Sequence, residues 1–310
     1  MTRPSGPALG ALFAFLAYLL WGFLPLYFLA LLPSGPWEIV AWRVILSLVF
    51  CLVALAVMRG WRAFGAILRQ PRLLAWTGLA GLLIFVNWTV YLIGTLTGHV
   101  VEASLGYFIN PIVTVLLAVL VLHERLRAAQ WVAVGVAFIA VLVIVIGYGS
   151  FPWIALTLAF TFGFYGLVKK QIGPSVDAVS GLTLESAWLT PLAAALLIWV
   201  AATTGITMGG AGIGHALLLG CAGAVTAVPL LLFAAGARRA PLSILGLLQF
   251  VAPILQFVIG VWVLGETMTV ERWIGFALVW VALVVLSADQ FVHARRARVA
   301  RGPSDVVEPI

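Results

Sequence analysis

Ten apolar runs, each close to the length of a bilayer-spanning helix, follow one another along the chain, near 9–31, 37–57, 73–96, 101–122, 128–147, 151–168, 179–203, 214–235, 241–264 and 270–288. A hydrocarbon core of about 30 Å takes about 20 residues of helix. Backbone inside that core must satisfy its own hydrogen bonds, so runs of this length are helices. The runs predict an all-α integral membrane protein with ten transmembrane helices. Composition agrees: 64% of the 310 residues are hydrophobic and 9% are Asp, Glu, Lys or Arg, against roughly 25% charged in a soluble domain. So little charge cannot cover a water-facing surface, which excludes a soluble enzyme and a disordered scaffold. The breaks carry turn chemistry, at Pro33-Ser34-Gly35-Pro36, Gly147-Tyr148-Gly149-Ser150, Gly173-Pro174-Ser175 and Gly209-Gly210. The run after Arg3 is too long for a signal-peptide core, and no small-x-small cleavage site follows it, so it is read as the first span.

The net charge is +7, but the cations sit in short clusters between apolar runs, unlike a nucleic-acid-binding face. Fifteen of the seventeen Lys and Arg, all but Arg43 and Arg272, fall in segments that share one side if the N-terminus is inside. Excess Lys and Arg mark cytoplasmic loops. The expectation is a multi-pass protein of the inner (plasma) membrane with both termini cytoplasmic. Cys51 and Cys221 lie within apolar runs and read as small hydrophobes. His and Cys show no metal spacing, and phosphate loop, nucleophile elbow and paired aspartates are missing from the sequence. The sequence therefore predicts no catalytic residue, no metal and no cofactor.

The second half echoes the first at an offset of 142: Leu105 and Leu247, Phe108 and Phe250, Pro111 and Pro253, Glu124 and Glu266, Trp131 and Trp273. Gly22 and Gly163 correspond at 141. Each half, 9–147 and 151–288, holds five spans, followed by a basic cytoplasmic tail at 289–310. Five is odd, so the second half enters the membrane the other way round. Two inverted repeats around a central cavity are the architecture of a carrier that opens alternately to either side.

Polar residues within spans need a reason, because an ionised side chain at mid-membrane costs ~2.5–3.5 kcal/mol on insertion scales. Arg43 and Glu185 occupy equivalent repeat positions in opposite membrane halves. Arg43 either grips a substrate carboxylate or snorkels to Glu38; Glu185 either receives a proton or ammonium group or joins a structural network. Pro111 and Pro253 free the carbonyls of Tyr107 and Gln249 near the bilayer centre and are candidate hinges. Asn87 with Tyr91, and Tyr107 with Asn110, share helix faces. With Trp21, Phe162, Phe164 and Tyr165 they make a candidate aromatic chamber, or else packing. Glu124 and Glu266 read as caps or partners of Arg125 and Arg272.

The stretches around AYLLWGFLPLYF, NWTVYL from Asn87, EASLGYFINP from Glu102, GFYGLVKK, GLTLES from Gly181, TAVPLLLFA and LGLLQFVAPI resemble the RarD group of EamA-domain transporters, in the drug/metabolite transporter superfamily. The resemblance covers residues 9–290; Phe250 stands where the group carries Tyr. It implies a cavity framed by spans 1–4 and 6–9, with spans 5 and 10 peripheral and available for dimerisation. It also implies export of amino acids, aromatic ones included, or related metabolites, with proton coupling a further expectation. A drug or organic-cation exporter and a non-transporting scaffold or sensor are the alternatives.

Overall fold

A computed structural model describes residues 6–122, 127–148, 151–173 and 176–300. Glu124, Arg125, Gly149, Ser150, Pro174 and Ser175 lie outside the described residues, as do Arg3 and the tail beyond Ala300. Among the described residues the regular elements are all helical. Among the described residues nine helical segments are long and apolar enough to cross a membrane. The remaining expected span, 151–168, is a 20-residue helix, Trp153–Ile172, whose last turn carries Lys169 and Lys170.

The first span is α1 (Gly6–Gly22) and α2 (Leu24–Leu29), broken at Phe23. Pro25 explains the break: it has no N–H to offer the Trp21 carbonyl one turn back. Gln256 Nε2 bonds that carbonyl instead, at 3.1 Å. Then come α3 (Pro36–Val57), the short α4 (Trp61–Leu68), α5 (Pro71–Leu96), α6 (Val100–Leu122), α7 (Ala128–Tyr148) and α8 (Trp153–Ile172). The second half continues with α9 (Ala178–Thr203), α10 (Ile213–Gly220) and α11 (Ala222–Ala237). It ends with α12 (Leu242–Leu248), α13 (Val251–Val258), a π turn (Ile259–Val263) and α14 (Val270–Ala300). The segment 289–300 is thus not a loose tail but a continuation of the last helix.

The two proline positions expected to act alike differ. Helix α6 runs unbroken through Pro111. The equivalent segment is interrupted at Gln249 and Phe250, one turn before Pro253.

Close approach of backbones holds the bundle together, as expected where burial in lipid gives helices no hydrophobic drive to associate. A Cβ on Gly223 of α11 would stand 2.2 Å from the Leu46 carbonyl oxygen of α3. On Gly81 of α5, it would lie 3.1 Å from the Glu185 carbonyl oxygen of α9; Gly81 and Gly223 are 142 residues apart. Likewise Gly22 meets Leu255, and Gly163 meets Val113; offsets of 141 and 142 carry one pair onto the other. Helices α7 and α14 pack on each other at the flank, with Gly275 against Ile144. They share a second core with α6 that includes Phe108, Phe257 and Phe276.

One end of the bundle is basic, with Arg59 and Arg62 between α3 and α5, Lys169 and Lys170 in the last turn of α8, and Arg238 and Arg239 after α11. At the opposite end, three carboxylates accept backbone N–H groups across the two halves. Glu38 takes Thr207 and Met208 (2.9 and 3.2 Å), and Glu102 takes Ile154 at the start of α8 (3.0 Å). Glu266 takes Val100 and Val101 at the start of α6 (2.5 and 2.9 Å). A carboxylate at a helix N-terminus satisfies donors that the helix leaves unpaired and sits at the positive end of its dipole. Glu266 therefore caps α6, while Arg272 bonds the Thr267 carbonyl. Arg127, just before α7, pairs with Asp289 of α14.

Candidate functional site

Arg43 lies seven residues inside α3, about 10 Å from its start at 1.5 Å per residue, and is 4% exposed. Its Nε donates to Thr226 Oγ1 of α11 at 2.8 Å. The guanidinium carbon stands 4.1 Å from the Trp88 ring centre and 5.4 Å from that of Phe28. Stacking on aromatic faces suits a planar, delocalised cation. One terminal nitrogen, NH1, is buried and has no hydrogen-bond partner. Glu38 is fully engaged with Thr207 and Met208, so the alternative in which Arg43 snorkels to Glu38 is overturned.

Tyr91 and Tyr107 stand beside this pocket, their rings 5.7 Å apart. The rings continue in both directions as a ladder, from Tyr27 through Phe28, Tyr91, Tyr107 and Phe162 to Tyr165, with centroid steps of 5.4 to 6.1 Å. Asn87 braces the ladder: its amide nitrogen donates to the Leu158 carbonyl and Thr161 Oγ1 of α8, and its oxygen accepts from Tyr107 OH. These three bonds tie α5 to α6 and α8 through Asn87.

Glu185 occupies the other end of the ladder, seven residues into α9 and 2% exposed. Its Oε1 accepts from Lys169 Nζ at 2.8 Å and its Oε2 from Tyr165 OH at 3.2 Å. The carboxylate is therefore already supplied with an ammonium partner. Since α3 and α9 enter from opposite ends, Arg43 and Glu185 are roughly 10 Å or more apart along the bundle axis. One α-amino acid, whose ammonium and carboxylate share a carbon, cannot hold both at once.

Other expected chamber residues are dispersed. Trp21 packs with Tyr18 and Phe233, off the ladder. Phe164 is 39% exposed and contributes no rung, so it is removed from the chamber. Gln249 bonds the Gly246 carbonyl of its own helix turn. Asn110 leaves a buried Oδ1 without a partner, near Gly163. At the centre Arg43, Asn87, Tyr91 and Glu185 are buried, while Trp21, Tyr107, Asn110 and Tyr165 are half-buried.

Comparisons with known proteins agree with this architecture. Protein RarD of Streptomyces exfoliatus is 50% identical over 289 residues, spanning 93% of this chain and 91% of the relative. Residues 8–146 match the EamA-like transporter family. The chain belongs to that family. Protein RarD of Escherichia coli is 40% identical, over 93% of this chain and 96% of the relative. An uncharacterized transporter of Vibrio cholerae is 42% identical, over 94% and 96%. A solved crystal structure that is 21% identical aligns with a TM-score of 0.57 over 89% of this chain and 97% of its own, and so shares the fold. This EamA-like protein is thus a RarD-type membrane transporter of the drug/metabolite transporter superfamily. Its partners are the lipid bilayer and a small-molecule substrate.

Sequence reasoning missed Thr226, Trp88, Lys169 and Pro25 in this EamA-like bundle. Thr226 and Trp88 had no signal beyond lying in apolar runs. Lys169 was assigned to a loop by its charge, although it belongs to the last turn of α8 and a lysine stem can reach back along the helix.

Proposed function

We propose that this transporter exports amino acids, aromatic ones included, and related small carboxylates by alternating access of two inverted five-helix halves. The observation that carries the reading is the buried, half-satisfied guanidinium of Arg43 in a box of aromatic rings. An unpartnered N–H on a buried cation is costly, and a carboxylate is its natural bidentate partner. Tyr27, Tyr91 and Tyr107 supply faces for an apolar or aromatic side chain, and for an ammonium group through their quadrupoles. Arg43 itself is buried, so on this reading substrate reaches it as the halves rock apart. Matching glycine contacts at offsets of 141 and 142 support such paired movement. The 9–147 and 151–288 halves would then exchange roles, with Pro253 beside the break at Gln249 as a hinge. Clustered Lys and Arg support cytoplasmic termini in the inner membrane.

The test is uptake into proteoliposomes of tryptophan, phenylalanine and leucine, with chloramphenicol and a quaternary ammonium compound alongside. Wild-type protein should show saturable amino-acid flux, and Arg43→Ala should lose it. Flux confined to the drug or the cation, and unaffected in Arg43→Ala, refutes the reading. Absence of all flux favours a scaffold or sensor.

A further inference from the structure

Arg43 and Glu185 hold equivalent repeat positions, yet their surroundings differ in kind. Arg43 has neutral partners, Thr226 and aromatic rings. Glu185 has a cation, Lys169, reached from the neighbouring helix. The slot for that cation is built into the interface: a Cβ on Gly181 would lie 3.1 Å from Lys169 Nζ. The lysine is inserted between α8 and α9 and stays 34% exposed at its side chain, while its partner is 2% exposed. This joins a sealed carboxylate to water through one movable side chain. The groups facing Glu185 are Lys169 and Tyr165 from α8, Cys51 from α3 and Gly81 from α5.

We propose that the Glu185–Lys169 pair is the carrier's proton-binding site: a proton taken up by Glu185 frees Lys169 and lets α8 and α9 part at the basic end. The inference rests on the carrier reading above and adds its coupling ion. The step is one protonation. The carboxylate becomes neutral and the ammonium keeps its charge. Lys169 then has no anion to hold it in low dielectric and swings to water, as long lysine stems do. With the lysine gone, the groove along Gly181 is vacant and the ion pair that ties α8 to α9 is lost. Loss of the proton restores the pair and closes that end. Arg43 has no carboxylate partner, so only one of the two equivalent positions responds to protons. That asymmetry lets a proton gradient bias an otherwise symmetric pair of halves.

The test is hydrogen–deuterium exchange in lipid nanodiscs between pD 5 and 8, corrected for intrinsic rates, on peptides covering Tyr165–Ile172 and Ala178–Glu185. Wild-type protein should lose on the order of tenfold protection in both segments on acidification, as expected for local opening. Glu185→Gln should be open and independent of pD, and Tyr165→Phe should keep the acid step. If Glu185→Gln does not fold, Lys169→Gln must abolish the step instead. Protection that stays flat in wild-type protein, or an acid step that survives in both Glu185→Gln and Lys169→Gln, overturns the proposal. The measurement needs no substrate, so a flat result leaves the carrier reading standing. An acid step without amino-acid flux refutes the substrate and not the switch.

Discussion

Substituting Gly223 with alanine is a one-carbon perturbation of the interface between α3 and α11. The added Cβ would lie 2.2 Å from the Leu46 carbonyl oxygen and 2.5 Å from its carbonyl carbon. Both are backbone atoms of a helix, so no side-chain rotation relieves the overlap. Normal carbon–oxygen contact needs roughly 1 Å more (contact distances being near 3.3 Å or above), and the two helices must separate by about that much. Overpacking of this kind costs typically 1–3 kcal/mol, offset by about 1 kcal/mol of helix propensity gained in replacing Gly with Ala. With severe backbone overlap the net loss should be about 2 kcal/mol, or a Tm lower by roughly 4–8 °C. The control is Gly135→Ala in α7, where the new methyl meets nothing within 4 Å; only the propensity gain remains there, so Tm should hold or rise. Thermal melts in detergent, followed by tryptophan fluorescence, compare the two directly. If Gly223→Ala melts at or above both wild type and Gly135→Ala, the close α3–α11 approach is not real.

Thr226→Val keeps the shape of the side chain but removes the acceptor of Arg43 Nε. A hydrogen bond to a charged group is worth ~1.5–3 kcal/mol, so the melt should fall by several degrees and the Km for a carboxylate substrate should shift more than kcat. Asp177 caps α9 by accepting from Val179 and Ser180. Burial pushes its carboxyl up, but bonds from the Ser180 hydroxyl and the Ser180 and Val179 N–H groups outweigh that and leave it below 3.8. Its contribution is therefore present above pH 3.8 and lost as pH falls through the lowered value; Asp177→Ala should cost about 1 kcal/mol at neutral pH, and the gap from wild type should narrow in acid melts. For Glu266 the sign reverses. Burial raises its carboxyl above 4.5 despite the Val100 and Val101 N–H groups, so the linked stability is fullest below pH 4.5 and falls as pH rises through the raised value, a slope that Glu266→Gln should remove.

Much of the architecture was legible from hydropathy alone, because a span is a local property of about twenty consecutive residues. Pairs such as Pro111 and Pro253 carry the offset of 142 in the sequence, and the close contacts of Gly81 and Gly223 are spaced by the same offset. Contacts were less so. Arg43 and Glu185 stood out as ionisable residues within apolar runs, but their partners differ in how far they could be anticipated. Lys169 is 16 residues from Glu185 on the adjoining helix, whereas Thr226 is 183 residues from Arg43. Neither spacing nor periodicity announces an acceptor at that separation. Proline chemistry also acts at a position the sequence did not single out: the Trp21 carbonyl, freed by Pro25, is taken by Gln256. Phe164 failed because aromatic residues in a span face lipid as readily as a neighbour, and its position on α8 turns it away from Phe162 and Tyr165.

Competition among three indoles tests most directly whether Arg43 selects a carboxylate. Tryptophan carries both charged groups, indole-3-propionate only the carboxylate, and tryptamine only the ammonium. In proteoliposomes loaded with radiolabelled tryptophan, unlabelled tryptophan and indole-3-propionate should both compete for flux while tryptamine does not, and the competition by indole-3-propionate should vanish in Arg43→Gln. Equal competition by tryptamine, unchanged in Arg43→Gln, would contradict the account and point to a cation exporter.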